Sequence, residues 1–126
     1  MHEFSVISSI VDLVKQEMET RPVILVKEVN LEVGELTFLA HGALEFGFTA
    51  LVEKDSKIAN DALNIIPVQA EVKCKNCDYE GPMKVKDSEQ MHIGVPIFKC
   101  PKCEGQIEVI KGKECIVVNL KMELED

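Results

Sequence analysis

Two C-x2-C pairs, Cys74/Cys77 in CKNC and Cys100/Cys103 in CPKC, constrain this 126-residue chain more than any other feature. Each pair can chelate one metal from a tight turn whose backbone amides point at the thiolates. Two such turns complete a tetrahedral shell of four sulfurs, the geometry of structural Zn²⁺. The 22 residues between the pairs come close to zinc-ribbon spacing. That intervening segment is poor in aliphatic residues, so burial cannot order it and a metal must. Structural zinc supplies apparent values of about 10–16 kcal/mol in small peptides. A closed four-thiolate shell leaves no position for water, which argues against catalysis there. A thioredoxin-like redox pair would open a helix in a βαβ setting, whereas these pairs are flanked by strand patterns. The competing occupant is iron, in a rubredoxin-like or iron–sulfur arrangement. The fifth cysteine, Cys115, opens the last strand pattern on the face opposite Ile116 and Val118, and reads as a small half-buried strand residue.

Around this insert the hydropathy pattern predicts one α+β domain. Ile7, Ile10, Val11, Val14 and Met18 recur at helical spacing over the first twenty residues. Arg21-Pro22 ends that helix, because the residue before a proline is pushed out of the helical region. Val29, Leu31 and Val33 then alternate with Asn30 and Glu32 as in a half-buried strand closed by Gly34. A second helix is expected over about residues 41–54, with Leu44, Phe48, Leu51 and Val52 on one face, although Gly42 and Gly47 each weaken it by up to about 1 kcal/mol. Ala62 to Lys73 reads as a strand whose phase slips at Ile66-Pro67, the mark of a bulge or an edge strand. Ile116, Val118, Leu120, Met122 and Leu124 alternate as the inward face of a terminal strand. The expected fold is therefore a three-stranded sheet with two helices on one face, plus an inserted zinc-ribbon-like module. The boundaries are residues 1–73 with 107–126 for the α+β domain, and 74–106 for the insert.

With 22 acidic against 14 basic residues the chain carries a net charge of −8. Between Cys74 and Cys103 five Lys face four Asp or Glu, and a four-thiolate zinc centre lowers that balance to about −1. This is a poor footprint for phosphate backbones, so no nucleic-acid partner is expected. A zinc-stabilised scaffold or nucleic-acid-binding ribbon remains the alternative reading. No apolar stretch reaches the length of a membrane span. Glu3, Asp12, Lys15 and Glu17 interrupt any signal-like segment, and a cytoplasmic location is expected. There is no H-E-x-x-H helix for a zinc hydrolase, and no enzyme is expected.

Met1-His2-Glu3 forms a second constellation. A metal on the α-amino group can also take the deprotonated amide nitrogen of residue 2, closing a five-membered ring. The Nδ1 of His2 then closes a fused six-membered ring. Three coplanar nitrogens suit Ni²⁺ or Cu²⁺ rather than Zn²⁺. An amide at a helix N-terminus has no intrahelical acceptor, so metallating it breaks no helical bond. The bland alternative is an exposed terminal His with no role. The fourth position is left to water, to Glu3 or to a His from elsewhere. His92 in the insert is the further candidate, while His41 reads as a surface residue at the start of the second helix.

MHEFSVISSIV, VGEL at 33–36, the strand running into CKNC, then CPKC and KGKECIVVNLKMELE together resemble the HypA family over nearly the whole chain. The resemblance implies a nickel metallochaperone for [NiFe]-hydrogenase maturation, with Ni(II) as transient cargo and Zn(II) as structural metal. It implies nickel ligands at Met1, His2 and Glu3, zinc ligands at Cys74, Cys77, Cys100 and Cys103, and two partners, the HypB GTPase and the hydrogenase large-subunit precursor. Two departures from the family pattern stand out. The loop between the cysteine pairs is longer and contains His92, and Glu104-Gly105 follows the second pair where the family often has glycine directly.

Overall fold

The computed structural model describes residues 2–88 and 93–126. In chain order the elements are helix α1 (Glu3–Glu19), strand β1 (Val23–Gly34), a 3-10 turn (Glu35–Thr37) and helix α2 (His41–Val52). Strands β2 (Leu63–Val68), β3 (Glu71–Cys74), β4 (Glu80–Pro82), β5 (Lys84–Ser88), β6 (Ile93–Ile97), β7 (Ile107–Lys111) and β8 (Cys115–Leu124) follow. They divide between two compact units. One takes the chain up to Val33, Phe38–Pro67 and Cys115–Asp126; the other takes Gly34–Thr37 and Val68–Glu114.

The first unit is the expected three-stranded sheet with two helices. Its strand order is β2-β1-β8. Ile7, Ile10, Val11 and Val14 of α1 are buried, as the helical spacing requires. They share one core with Val26, Val29, Leu31 and Val33 of β1 and with Leu44, Phe48 and Val52 of α2. Helix α1 stops at Thr20, whose amide reaches back to the Glu17 and Met18 carbonyls, ahead of Pro22. Across the sheet Asn64, Asn30 and Asn119 form a ladder. Asn64 Nδ2 donates to Asn30 Oδ1 at 2.8 Å, and Asn30 Nδ2 donates to Asn119 Oδ1 at 2.6 Å. Asn30 is 7% exposed, and these two bonds offset the loss of water around its amide.

The two glycines of α2 have opposite reasons. A Cβ on Gly42 would meet nothing within 4 Å, whereas one on Gly47 would lie 2.9 Å from Ile7 Cγ2. Gly47 is thus the point of closest helix approach, and Ile7, being β-branched, has little rotamer freedom to yield. We expect Gly42→Ala to raise stability by about 0.5 kcal/mol through helix propensity. Gly47→Ala should lower it by about 1–2 kcal/mol through overpacking. Urea unfolding of the two variants checks the pair, and the same sign for both would refute this account.

Two strand expectations are corrected. The run from Ala62 to Lys73 is not one strand: β2 ends at Val68 and β3 begins at Glu71, and the chain passes from the first unit to the second between Pro67 and Val68. Pro67 sits in β2, an edge strand, where a missing N–H breaks no ladder bond. In β8 the inward residues are Cys115, Val117, Leu120 and Met122, while Ile116 and Val118 are exposed. The reason is a bulge. Asn30 pairs with Asn119 and Leu31 with Val117, so Val118 is the extra residue and the phase inverts there. Cys115 is accordingly half-buried and packs against the core, and burial pushes its thiol pKa up.

The second unit holds the sheet β4-β3-β7 and the hairpin β5-β6. It is wider at both ends than the segment 74–106 that composition sets apart. Among the residues whose burial is described, Ala70, Val72 and Met83 form its buried apolar cluster, with Leu36, Ile107 and Val109 packed against them. Gly34, Glu35 and Leu36 of VGEL belong to this unit, while Val33 lies in the core of the first. The Gly34 amide donates to the Glu114 carbonyl and the Leu36 amide to the Gly112 carbonyl, each at 2.8 Å. Glu35 Oε2 accepts from the Ala70 amide at 3.3 Å. A Cβ on Gly34 would collide with the Gly112 carbonyl, so only glycine permits this approach. Gly112 itself adopts φ +110° against the Ala70 backbone.

Candidate metal centre

Strand β3 delivers Cys74 into a turn that returns through Cys77, and Cys100 to Cys103 form a second turn before β7. The backbone closes both turns in the same way. The Cys74 amide donates to the Tyr79 carbonyl at 2.9 Å, and the Cys100 amide donates to the Gly105 carbonyl at 3.0 Å. The Lys75 amide reaches the Gln106 carbonyl at 2.9 Å and ties one turn to the other. Amides then point at sulfur. Asn76 N lies 3.3 Å from Cys74 Sγ, Lys102 N lies 3.4 Å from Cys100 Sγ and Cys103 N lies 3.5 Å from it. Such donors favour thiolate over thiol.

The four sulfurs lie within 4.8 Å of one another. Cys74 Sγ and Cys103 Sγ are 3.5 Å apart, and Cys77 Sγ and Cys100 Sγ are 3.7 Å apart. A tetrahedron with Zn–S bonds of about 2.3 Å has an edge of about 3.8 Å, so the set fits a metal of that size. None of the five cysteines forms a disulfide. Cys74 and Cys100 are buried, Cys77 is half-buried and Cys103 is exposed. Glu104, after the second pair, takes a left-handed φ of +62°, a conformation that glycine adopts without strain. Gly105 follows it, and a Cβ there would lie 2.5 Å from the side-chain Nδ2 of Asn76. Asn76 and Gly105 thus pack the two turns together, a role that no spacing in the sequence marks.

Without metal the thiols divide. Burial disfavours the Cys100 thiolate, but the Cys103 and Lys102 amides and the Cys77 and Cys74 thiols outweigh it and bring the group down to about 7. Cys74 is likewise lowered: burial opposes ionisation, and the Asn76 amide with its thiol neighbours overcomes it. The Tyr79 amide favours the Cys77 thiolate, yet burial and the neighbouring thiols push Cys77 up to about 12. Cys103 is raised in spite of the Gly105 amide, chiefly by Cys74. Two of the four sulfurs therefore keep their protons at neutral pH and must release them to bind a metal. Calorimetry in buffers of different ionisation enthalpy should find at least about two protons released per zinc at pH 7. Affinity should fall as the pH is lowered from 8 to 6, because the Cys77 and Cys103 protons must be displaced throughout and protonation of Cys100 adds to the cost. Proton release near zero would contradict this division.

His2 is the exposed residue preceding α1, extended at φ −120° and ψ 165°, with no side-chain capping bond. Its carbonyl accepts from the Val6 amide at 3.2 Å, and its side chain is left to other uses. Glu3 is the first helical residue and is half-buried. His41 opens α2 and is exposed. Met1 and His92 lie outside the described residues. Among the described residues the four cysteines are the one His, Cys, Asp or Glu group arranged to hold a metal ion.

The family model described as hydrogenase/urease nickel incorporation, metallochaperone, hypA matches residues 1–122. The chain belongs to the HypA family. It is a nickel metallochaperone, and HypA relatives resemble it along its full length. A hydrogenase maturation factor HypA of Methanococcus maripaludis is 36% identical over 132 residues, covering 100% of this chain and 98% of that protein. One from Methanothermobacter thermautotrophicus is 35% identical over 127 residues, with 100% of both covered. In fold the chain resembles the solution structure of the Ni metallochaperone HypA from Helicobacter pylori. The TM-score is 0.61 at 21% identity, over 99% of this chain and 100% of that one. A second HypA solution structure gives 0.65 at 22% identity, over 99% and 98%.

Proposed function

We propose that this HypA protein carries Ni(II) at its N-terminus and hands it on during [NiFe]-hydrogenase maturation, as a carrier rather than an enzyme. The Met1 amine, the His2 amide nitrogen and the His2 Nδ1 supply three coplanar donors, with Glu3 beside them. A fourth position is open to water, to Glu3 or to His92. The observation that carries this reading is His2 itself: exposed, extended, uncapped and immediately ahead of α1. The amide it would offer to nickel lies where a helix has no acceptor for it.

Cys74, Cys77, Cys100 and Cys103 hold Zn(II) in the same proposal. The ion would tie two turns of a unit that has little apolar core and would leave no site for substrate. The partners are the HypB GTPase and the hydrogenase large-subunit precursor, and the compartment is the cytoplasm. No helix among the described residues is long and apolar enough to cross a membrane. The two metals should separate on mutation. His2→Ala is expected to lose nickel binding by equilibrium dialysis and to keep one zinc per chain. Unchanged nickel binding in that variant would remove the N-terminal site.

A further inference from the structure

The outer edge of β8 and the flank of α1 beside it border a groove of about 470 Å³ within the helix–sheet unit. Among the described residues no strand pairs with that edge, since the sheet order is β2-β1-β8. The two edges of the sheet differ. β2 has six residues and carries Pro67, and short length and proline both blunt an edge against pairing. β8 has ten residues and no proline. Of the three register shifts between β1 and β8, two place the extra residue in β1, at Ile24 and Lys27. The third places it at Val118. Asn119–Leu124 is therefore uninterrupted strand at an open edge, with backbone donors and acceptors at regular spacing.

The groove is lined to receive side chains. Leu13 projects from α1 at 41% exposure and Leu124 from β8 at 44%. Leu120 and Met122 lie half-buried between them. Leu120, Met122 and Leu124 recur at a period of two, which matches the alternation of side chains along an added strand.

Charge selects the occupant. Three of the nearby cations have partners: Arg21 with Glu17 at 3.0 Å, Lys121 with Glu28 at 3.0 Å and Lys27 with Glu123 at 3.9 Å, while Lys15 and Lys57 line a neighbouring pocket with Glu125 and form no ion pair with it. Glu125 and Asp126 follow the strand without an ion pair among the described residues, in a chain of net charge −8. A second copy would bring the same two carboxylates and the same net charge of −8 to the edge, and like charges brought together are destabilising. We propose that the β8 edge takes up an extended segment of a partner protein as a fourth strand. That segment has apolar residues at alternate positions facing the groove and basic residues beside Glu125 and Asp126.

The probe is a synthetic peptide of about nine residues, the length of a long strand, alternating valine with lysine and threonine. It is titrated into the zinc-loaded full chain and followed by amide chemical shifts. Shifts should move at Leu13 and at Asn119–Leu124. Leu13→Lys and Leu124→Lys should each weaken binding by about ten-fold or more, as should aspartate in place of the peptide's lysines. Zinc content and melting temperature report whether each variant is folded, and either folded variant suffices. Absence of binding up to about 1 mM peptide would overturn the proposal. So would affinity unchanged in the folded variants, or a concentration-dependent dimer in sedimentation that these substitutions dissociate, which would give the edge to a second copy.

Discussion

Cys77→Ser is expected to release zinc and to unfold the unit spanning Val68–Glu114, while the helix–sheet unit stays folded. The asymmetry follows from how little else holds the second unit. Among the residues whose burial is described, three, Ala70, Val72 and Met83, form its buried apolar cluster, against fifteen in the other unit. Full burial of one large aliphatic side chain contributes roughly 1.5–3 kcal/mol, and ordering each backbone residue costs about 1–2 kcal/mol. A cluster of that size cannot order the turns around the cysteines. Structural zinc, at an apparent 10–16 kcal/mol or so in peptides, can. Elemental analysis should find less than stoichiometric zinc in the variant. Amide signals from Val72, Cys74 and Val109 should collapse toward random-coil positions while those of Ile7, Val29 and Phe48 keep their dispersion. Stoichiometric zinc in the variant would show that the four-thiolate assignment is wrong. A collapse of both sets of signals would show that the units do not fold independently.

Blocking the amine of Met1, by acetylation or by an extension of two residues, should have the second large effect. An acylated nitrogen is an amide: it must lose a proton to bind, and the ring pattern set by His at position 2 is lost. Nickel affinity should fall by more than the roughly 10–100-fold that follows loss of an outer-shell partner of a metal site. The absorption of square-planar Ni(II) should vanish with it. Zinc content and melting temperature should be nearly unchanged, because His2, the first described residue, is exposed and the four cysteines are distant in sequence. Equal affinity and an identical spectrum in blocked and free protein would place the nickel site elsewhere in the chain.

Much of the candidate site was legible because its chemistry is local. C-x2-C brings two sulfurs to one turn wherever that turn lies, and the proposed chelate of the α-amine and His2 would need no help from the fold. Helical spacing named Ile7, Ile10, Val11 and Val14 as a buried face, and all four are buried. Local pattern failed where a neighbour decided. Alternation over Ala62–Lys73 described two strands as one, because nothing in a period of two records that the partner changes from β1 to β7. The inward face of β8 was misread over Ile116 and Val118 because the Val118 bulge is set by register against β1.

By itself the sequence determined the four-cysteine group, the two helices, the α+β class and the family, since each rests on residue type, spacing along the chain or the combination of motifs. Tertiary structure alone decided the rest. It showed that Gly47 is the contact point with Ile7 and that VGEL fastens to Gly112 and Glu114. It also showed that Cys74 and Cys100 are held below the usual thiol range while Cys77 and Cys103 are held above it. The physical reason is common to all three: close approach and a proton's preference depend on distances between residues far apart in the chain, and those distances exist only after packing has chosen one arrangement.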